Sequence, residues 1–348
     1  MKISITADVH LTSYEDTPER YHALEDIIRQ TLKENIHTLW IIGDLFHADF
    51  DRYSDFENLA KKYPDLNFQI IPGNHDRMLS SRSLAGKNIH VFDETTIMTE
   101  AYPFLIIPYT HEKTMGELIA ERKDQLIPMN WILLSHGDWL EGRRIFNTVE
   151  SGTYMPLTRS DLERYQPARV FLGHIHIPTD GPVFYPGSPC GLDITETGLR
   201  RFLIYDTETN SIESREIETD ILYQQCSLFV MPVDDEAGYI RQIVNNTIKK
   251  WNIREKDRGK TKIRVQASGY TRNKSELLNL LLKEFDAYSF FKNESPMVDK
   301  VSVTIDENRI KIAQSVKSRI DILDLNPSPD EPDRDQILME AFHIIFRG

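Results

Sequence analysis

Two cysteines in 348 residues, Cys190 and Cys226, are too few for a disulfide framework, a usage that fits a reducing compartment. No apolar run is long enough to cross a bilayer. Met1 leads straight into the alternating Lys2-Ile3-Ser4-Ile5-Thr6. No basic segment with an apolar stretch and a cleavage site is read there, so the expected location is cytoplasmic. A surplus of positive charge is also missing. Lys and Arg number 41 against 54 Asp and Glu, a formal net charge of −13. A chain so acidic is not an obvious nucleic-acid binder, because phosphate contacts need cations, although local charge matters more than the total. Internal repeats and low-complexity stretches are absent. The length allows two or three domains.

What is present is a series of apolar strands, each ending in polar side chains of one kind. Ile70 and Ile71 break at Pro72-Gly73 and present Asn74, His75 and Asp76. Lys2 to Ala7 delivers Asp8-Val9-His10; in an extended chain residues two apart share a side, so Asp8 and His10 can reach one ion together. Thr38 to Ile42 ends in Gly43-Asp44-Leu45-Phe46-His47, Trp131 to Leu134 in Ser135-His136-Gly137, and Arg169 to Leu172 in Gly173-His174-Ile175-His176. Helical patterns over Pro18 to Asn35 and Tyr53 to Lys62 separate the first three strands, the order of a parallel sheet with right-handed crossovers. Segments Val183 to Pro189 and Phe202 to Tyr205 are expected to complete a second sheet. A lone His at any of these ends is usually structural, but five such ends together point to chemistry. Carboxylate, imidazole and amide donors without thiolate suit two divalent ions, most naturally Mn²⁺ with Mg²⁺ as the other choice, rather than a structural zinc. Such ions, ~3.5–4 Å apart, grip one phosphate and activate water, and an imidazole opposite can protonate the departing oxygen. His75 occupies that place.

Together, Asp8-x-His10, Gly43-Asp44, Gly73-Asn74-His75-Asp76, His136 and Gly173-His174-x-His176 resemble the calcineurin-like metallophosphoesterases over roughly the first two-thirds of the chain. Gly43-Asp44-Leu45-Phe46-His47, the Asp76 ending and Tyr185-Pro186-Gly187-Ser188-Pro189 are similar to the SbcD-type nucleases of the meiotic-recombination-eleven family, in a compact phage or bacterial form. The resemblance implies an α/β fold: a metallophosphoesterase β-sandwich flanked by helices (residues 1–219), a small α+β accessory, DNA-contacting domain (220–315), and a linker with a C-terminal partner-binding helix (316–348). It also implies that Asp8, His10, Asp44 and His176 hold one metal, and that Asp44, Asn74, His136 and His174 hold the second. His75 would be the catalytic acid, and His47 would orient the phosphate or support His75. The implied partners are DNA, as duplex ends and single strands, an SMC-like coiled-coil ATPase of the SbcC type, and a second copy in a homodimer. A phage-encoded member would work in the host cytoplasm. Cys190-Gly191-Leu192-Asp193 departs from the family, which often carries a basic residue there.

The last third carries no further strand-end His or Asp of this kind. It reads as strands over Cys226 to Val233, Lys262 to Ala267 and Val301 to Ile305, with helices over Glu236 to Trp251 and Lys274 to Phe285. A basic run, Lys249, Lys250, Arg254, Lys256, Arg258, Lys260, Lys262 and Arg264, is either a solvated surface or a DNA contact. Asn326 to Pro332 is read as a linker. The helix over Asp333 to Phe346, with Ile337, Leu338, Ala341, Phe342 and Ile345 on one face, covers its own protein or lies on a partner. The leading expectation is a metal-dependent DNA exonuclease and endonuclease of double-strand-break repair. A small-molecule phosphodiesterase and a DNA-end-binding scaffold with vestigial chemistry are the alternatives.

Overall fold

The computed structural model describes residues 1–99, 102–140, 152–323, 332 and 334–346. The chain divides into two compact units, Met1–Leu222 and Tyr223–Gly348.

The first unit begins with β1 (Lys2–Thr6), α1 (Pro18–Lys33), β2 (Thr38–Ile42), α2 (Ser54–Lys62), β3 (Asn67–Ile71) and β4 (Ile89–Val91). It continues with β5 (Thr96–Met98), β6 (Phe104–Ile107), α3 (Met115–Arg122), β7 (Ile132–His136), β8 (Trp139–Leu140) and β9 (Leu157–Thr158). It closes with α4 (Arg159–Tyr165), β10 (Arg169–Gly173), β11 (Arg201–Asp206) and β12 (Ser211–Glu216). Strands β12-β11-β1-β2-β3-β4 form one sheet and β10-β7-β6-β5 a second, with β8 and β9 paired apart. β1, β2, β3 and β4 run parallel, as do β6, β7 and β10.

The continuous apolar runs of these strands follow from burial on both faces. Ile3, Ile5, Trp40, Ile42, Phe104, Ile132, Leu134 and Phe171 fill the space between the sheets. The alternate residues Leu39, Ile41, Phe68 and Ile70 pack outward under α1 and α2. Leu105, Leu133, Val170 and Leu172 do the same beneath α3. Each fully buried side chain of this size contributes roughly 1.5–3 kcal/mol, so this triple layering holds the strand ends in place. The architecture is the expected α/β sandwich flanked by helices.

One expectation fails. β11 does not join the second sheet; it pairs antiparallel with β1, from Lys2↔Asp206 to Ile5↔Leu203. Residues 183–189 form no strand and make only single bridges, Phe171↔Phe184 and Thr179↔Tyr185. Pro186 and Pro189 have no N–H for a ladder.

The second unit contains β13 (Leu222–Val230, whose first residue belongs to the first unit), α5 (Glu236–Trp251), β14 (Thr261–Thr271), α6 (Lys274–Glu284), β15 (Ser289–Phe290), β16 (Met297–Val303), α7 (Glu307–Asp321) and α8 (Arg334–Phe346). β14 pairs with β13, β15 and β16 in one sheet. Its core joins Leu228, Val230, Ile240, Val244, Ile263, Val265, Leu277, Leu281 and Phe285. Helix α7 was not anticipated, and it runs through the 315/316 boundary set from sequence. The apolar face of α8 is directed at its own unit. Leu338 and Phe342 are buried with Met231, Tyr270, Ala313 and Ile320, and Ile337, Ala341 and Ile345 pack alongside. The expected linker lies outside the described residues, apart from Pro332.

Candidate metal centre

Parallel pairing brings the C-terminal ends of β1, β2, β3, β7 and β10 to one edge of the sandwich. There the backbone leaves the extended region. Asp8 (φ 53°), His10 (φ 51°), Asp44 (φ 50°) and His174 (φ 94°) all adopt left-handed conformations. The extended-chain argument for Asp8 and His10 is therefore wrong in its reason. They converge because a turn, not strand alternation, aims them. Cross-strand bonds hold that turn: the Asp8 N–H donates to the Gly43 carbonyl at 3.1 Å and the His10 N–H to the Asp44 carbonyl at 2.9 Å. Residues in such conformations cost about 1–3 kcal/mol each and persist where the surroundings over-determine them. Two glycines make the approach possible. A Cβ on Gly43 (φ 95°) would sit 1.8 Å from His136 Nδ1, and one on Gly73 would sit 2.2 Å from Asp44 Oδ1.

All seven residues expected as ligands meet here. Asp8, His10, Asp44, His136 and His174 are almost wholly buried. Asp8 Oδ1 accepts from the His174 N–H at 2.8 Å, and Asp44 Oδ1 accepts from the His75 N–H at 2.9 Å. The other oxygen of Asp44 faces His136 Nε2 at 3.4 Å and His10 Nε2 at 3.6 Å. His10 Nε2 lies 3.2 Å from His176 Nε2. Asn74 Oδ1 lies 2.8 Å from His136 Nε2 and 3.1 Å from His174 Nδ1. Donor atoms of Asp8, His10 and His176 lie within 4.8 Å of one another, as do those of Asp8, Asp44 and His136.

This is a set of lone pairs aimed at each other. Asp8 Oδ2 is buried with no hydrogen bond among the described residues. Buried acceptors that converge in this way require protons or cations between them. The donor chemistry fits divalent ions with oxygen and imidazole preference.

Without cations the site holds protons. Burial pushes the Asp8 carboxyl up to about 6, against the pull of His176 and His136. Burial opposes a charged His136, but Asp44 and Asp8 outweigh it and raise the imidazole to about 9. Burial likewise opposes Asp44 ionisation, and His136 and His10 more than compensate, holding it below the usual carboxylate range. His10 goes the other way: burial depresses it well below normal despite Asp44, which keeps the ring neutral and able to donate a lone pair.

His75 and His47 flank this cluster. The His75 ring centroid lies 4.7 Å from that of His10 and 5.6 Å from that of His47, nearly parallel to the latter. His75 is half-buried and His47 exposed. Burial and the nearby Arg20 depress His47. Asp76 is a clamp: its oxygens accept from the Gly73 N–H at 2.7 Å and the Phe46 N–H at 3.1 Å, tying the Asn74-His75 turn to the end of β2.

Four residues escaped the sequence reading. An Arg20 Nη1–H donates to the His10 carbonyl. Asp138 Oδ1 lies 3.6 Å from His174 Nε2, while its other oxygen accepts from the Tyr154 N–H at 2.7 Å. Glu196 accepts from His176 Nδ1 at 2.8 Å, and the buried Arg200 binds the carbonyls of His176 and Ser188. Asp138, two residues past His136, could have been found by the same strand-end logic. Glu196 and Arg200 sit in a stretch without periodicity and gave no signal.

No curated protein matches the chain. Among solved structures it resembles a novel archaeal phosphodiesterase (17% identity, TM-score 0.33, covering 62% of this chain and 99% of that one). A dimetal phosphatase from Danio rerio is similar at 14% identity and TM-score 0.38, covering 62% and 96%. The Pseudomonas putida nuclease MPE is similar at 22% identity and TM-score 0.24, covering 40% and 65%. The sequence model for calcineurin-like phosphoesterases matches residues 1–178. That span exceeds half of the chain and takes in every strand end that supplies the cluster, so the chain belongs to the calcineurin-like phosphoesterases.

Proposed function

We propose that this phosphoesterase is a two-metal DNA nuclease, an exonuclease on duplex ends and an endonuclease on single strands, acting in double-strand-break repair. The observation that carries the reading is the convergence of Asp8, His10, Asp44, Asn74, His136, His174 and His176 beside two further imidazoles, His75 and His47. Asp8, His10, Asp44 and His176 would hold one ion, and Asp44, Asn74, His136 and His174 the other, with Mn²⁺ matching the donor set. When bound, the ions neutralise phosphoryl charge and make hydroxide available near neutral pH.

The chain's own groups do the rest. In hydrolysis the water oxygen bonds to phosphorus, the P–O bond to the leaving nucleoside breaks, and the departing oxygen takes a proton. His75, held by its own N–H on Asp44 Oδ1, is the group that delivers this proton. His47, exposed beside it, orients the phosphate. Asp76 fixes the turn that carries His75, and Arg20 fixes the carbonyl of His10.

The polymer substrate is supported by the second unit, whose basic run a small-molecule enzyme has less use for. In this reading the functional form is a homodimer that works with an SMC-like ATPase. Because the apolar face of α8 is buried on its own unit, such a partner would meet other surfaces. One observation favours the small-molecule reading instead: Arg254 and Lys260 pair with Asp257, and Arg264 with Glu294, which occupies part of the basic run.

The test is cleavage of linear duplex DNA by the full chain with Mn²⁺, with and without the ATPase, comparing wild type with His75→Ala. Nucleotide release by the wild type and a ~10²–10⁴-fold slower variant that still binds DNA are expected. Hydrolysis of bis-p-nitrophenyl phosphate with DNA left intact in both settings would favour the small-molecule enzyme.

A further inference from the structure

The carboxylate that faces His176 is not a metal-set residue, yet it is the centre of a closed buried network. Glu196 is 2% exposed and Arg200 1%. Glu196 Oε1 lies 2.8 Å from His176 Nδ1. Its Oε2 accepts three bonds: from Ser188 Oγ at 2.7 Å, from the Leu192 N–H at 3.2 Å and from Arg200 Nη2 at 3.4 Å. Arg200 also donates to the Ser188 carbonyl at 2.9 Å and to the His176 carbonyl. Arg200 therefore ties the His176 backbone to the loop that presents Glu196.

The two oxygens of Glu196 thus have separate tasks. With three donors on Oε2, only Oε1 is left for the imidazole, and a carboxylate oxygen can only accept. Whenever the ring is neutral, His176 must then carry its single proton on Nδ1, leaving a lone pair on Nε2. That nitrogen is the one 3.2 Å from His10 Nε2, inside the cluster.

We infer that Glu196 is a positioning residue that sets the tautomer of His176, and so decides whether that imidazole can bind a cation. The role rests on the metal reading given above. It follows that Glu196→Gln is not a conservative change. The single amide oxygen goes to the side with three donors, because the reverse orientation would set an NH₂ against the Leu192 N–H and a buried guanidinium. The amide NH₂ then donates to His176 Nδ1, the imidazole proton moves to Nε2, and the ring loses its lone pair toward the cluster. Outer partners of ligating histidines govern metal affinity by about 10–100-fold, and the Gln variant should show a loss of that size for one ion.

The test uses the metal-free full chain labelled with ¹⁵N-histidine, at a pH alkaline enough for the His176 ring to be neutral. The expected result is a His176 signal of the Nδ1–H form in wild type and of the Nε2–H form in Glu196→Gln. Calorimetric titration with Mn²⁺ should give two ions in wild type, and one weakened ~10–100-fold in Glu196→Gln. An Nε2–H tautomer in wild type, a measurement that needs no variant to fold, overturns the inference. So does a folded Glu196→Gln protein that binds both ions as wild type does. A wild type with the Nδ1–H tautomer that binds no Mn²⁺ overturns instead the metal reading beneath it.

Discussion

One buried polar cluster in each unit is completed in an opposite way. In the first, Asp8, Asp44, His10, His136 and His174 are buried facing one another, and four of the five hold left-handed backbone angles. In the second, the buried Asp257 is answered locally by Arg254 and Lys260, and Thr261 Oγ donates to the Asp257 carbonyl at 2.8 Å. Its non-glycine left-handed residues, Asn252, Lys292 and Asn293, sit at a helix C-cap and in a short turn where such angles are ordinary. Among the described residues, every cluster able to hold a metal lies in the first unit. The comparison separates polar burial that completes itself from polar burial that needs something added, and only the second kind marks a site.

The largest effect expected is on activity. Asp44→Asn removes the charge shared by His136, His10 and the His75 turn, and phosphodiester hydrolysis should fall by roughly 10³-fold or more. Steady-state kinetics with bis-p-nitrophenyl phosphate measures it. A variant within tenfold of wild type would break the contrast between the units. Next is stability: Phe342→Ala, in the core beneath α8, should lower unfolding free energy by about 3–5 kcal/mol in denaturant melts. If instead only the small-substrate rate fell, the second unit would be acting on the site.

The third effect sharpens the account of protons in the cluster. Asp8 is raised to about 6 and His136 to about 9, so both hold protons more tightly in the metal-free fold than in a free chain. A cation must displace them. Between pH 6 and 9, Mn²⁺ affinity should therefore rise at least about tenfold per pH unit as the His136 proton is released, and more steeply below pH 6. Calorimetry across pH reads the slope, and a flat profile contradicts it. The smallest effect is Arg264→Ala. Its pair with Glu294 is about a third exposed, so it should change stability by no more than ~1 kcal/mol and leave small-substrate hydrolysis unchanged.

Much of the first unit was legible because its strands are buried on both faces and end abruptly. Thr38 to Ile42 can hardly be anything but a central strand, and Gly43-Asp44 after it marks the exit. What failed was geometry that sequence spacing does not encode. Asp8 and His10 meet through left-handed angles, and β11 was misplaced because a run such as Phe202 to Tyr205 does not name its sheet. Helix α7 escaped because only Ile310, Ala313 and Ile320 are buried, while Ile312 and Ile322 point to solvent and blur the period. Its start was nevertheless written: the Asp306 side chain caps it, accepting from the Asn308 and Arg309 N–H groups. The partners of the histidines were invisible for a different reason. Glu196 reaches His176 across 20 residues of irregular chain, and only folding puts them together.

The most direct test of the two-ion centre is to strip the protein with a chelator and restore Mn²⁺ stepwise while following bis-p-nitrophenyl phosphate hydrolysis. The account predicts no turnover without metal and a return that depends on two bound ions per chain. Hydrolysis that survives complete chelation, or that saturates at one ion, would contradict it.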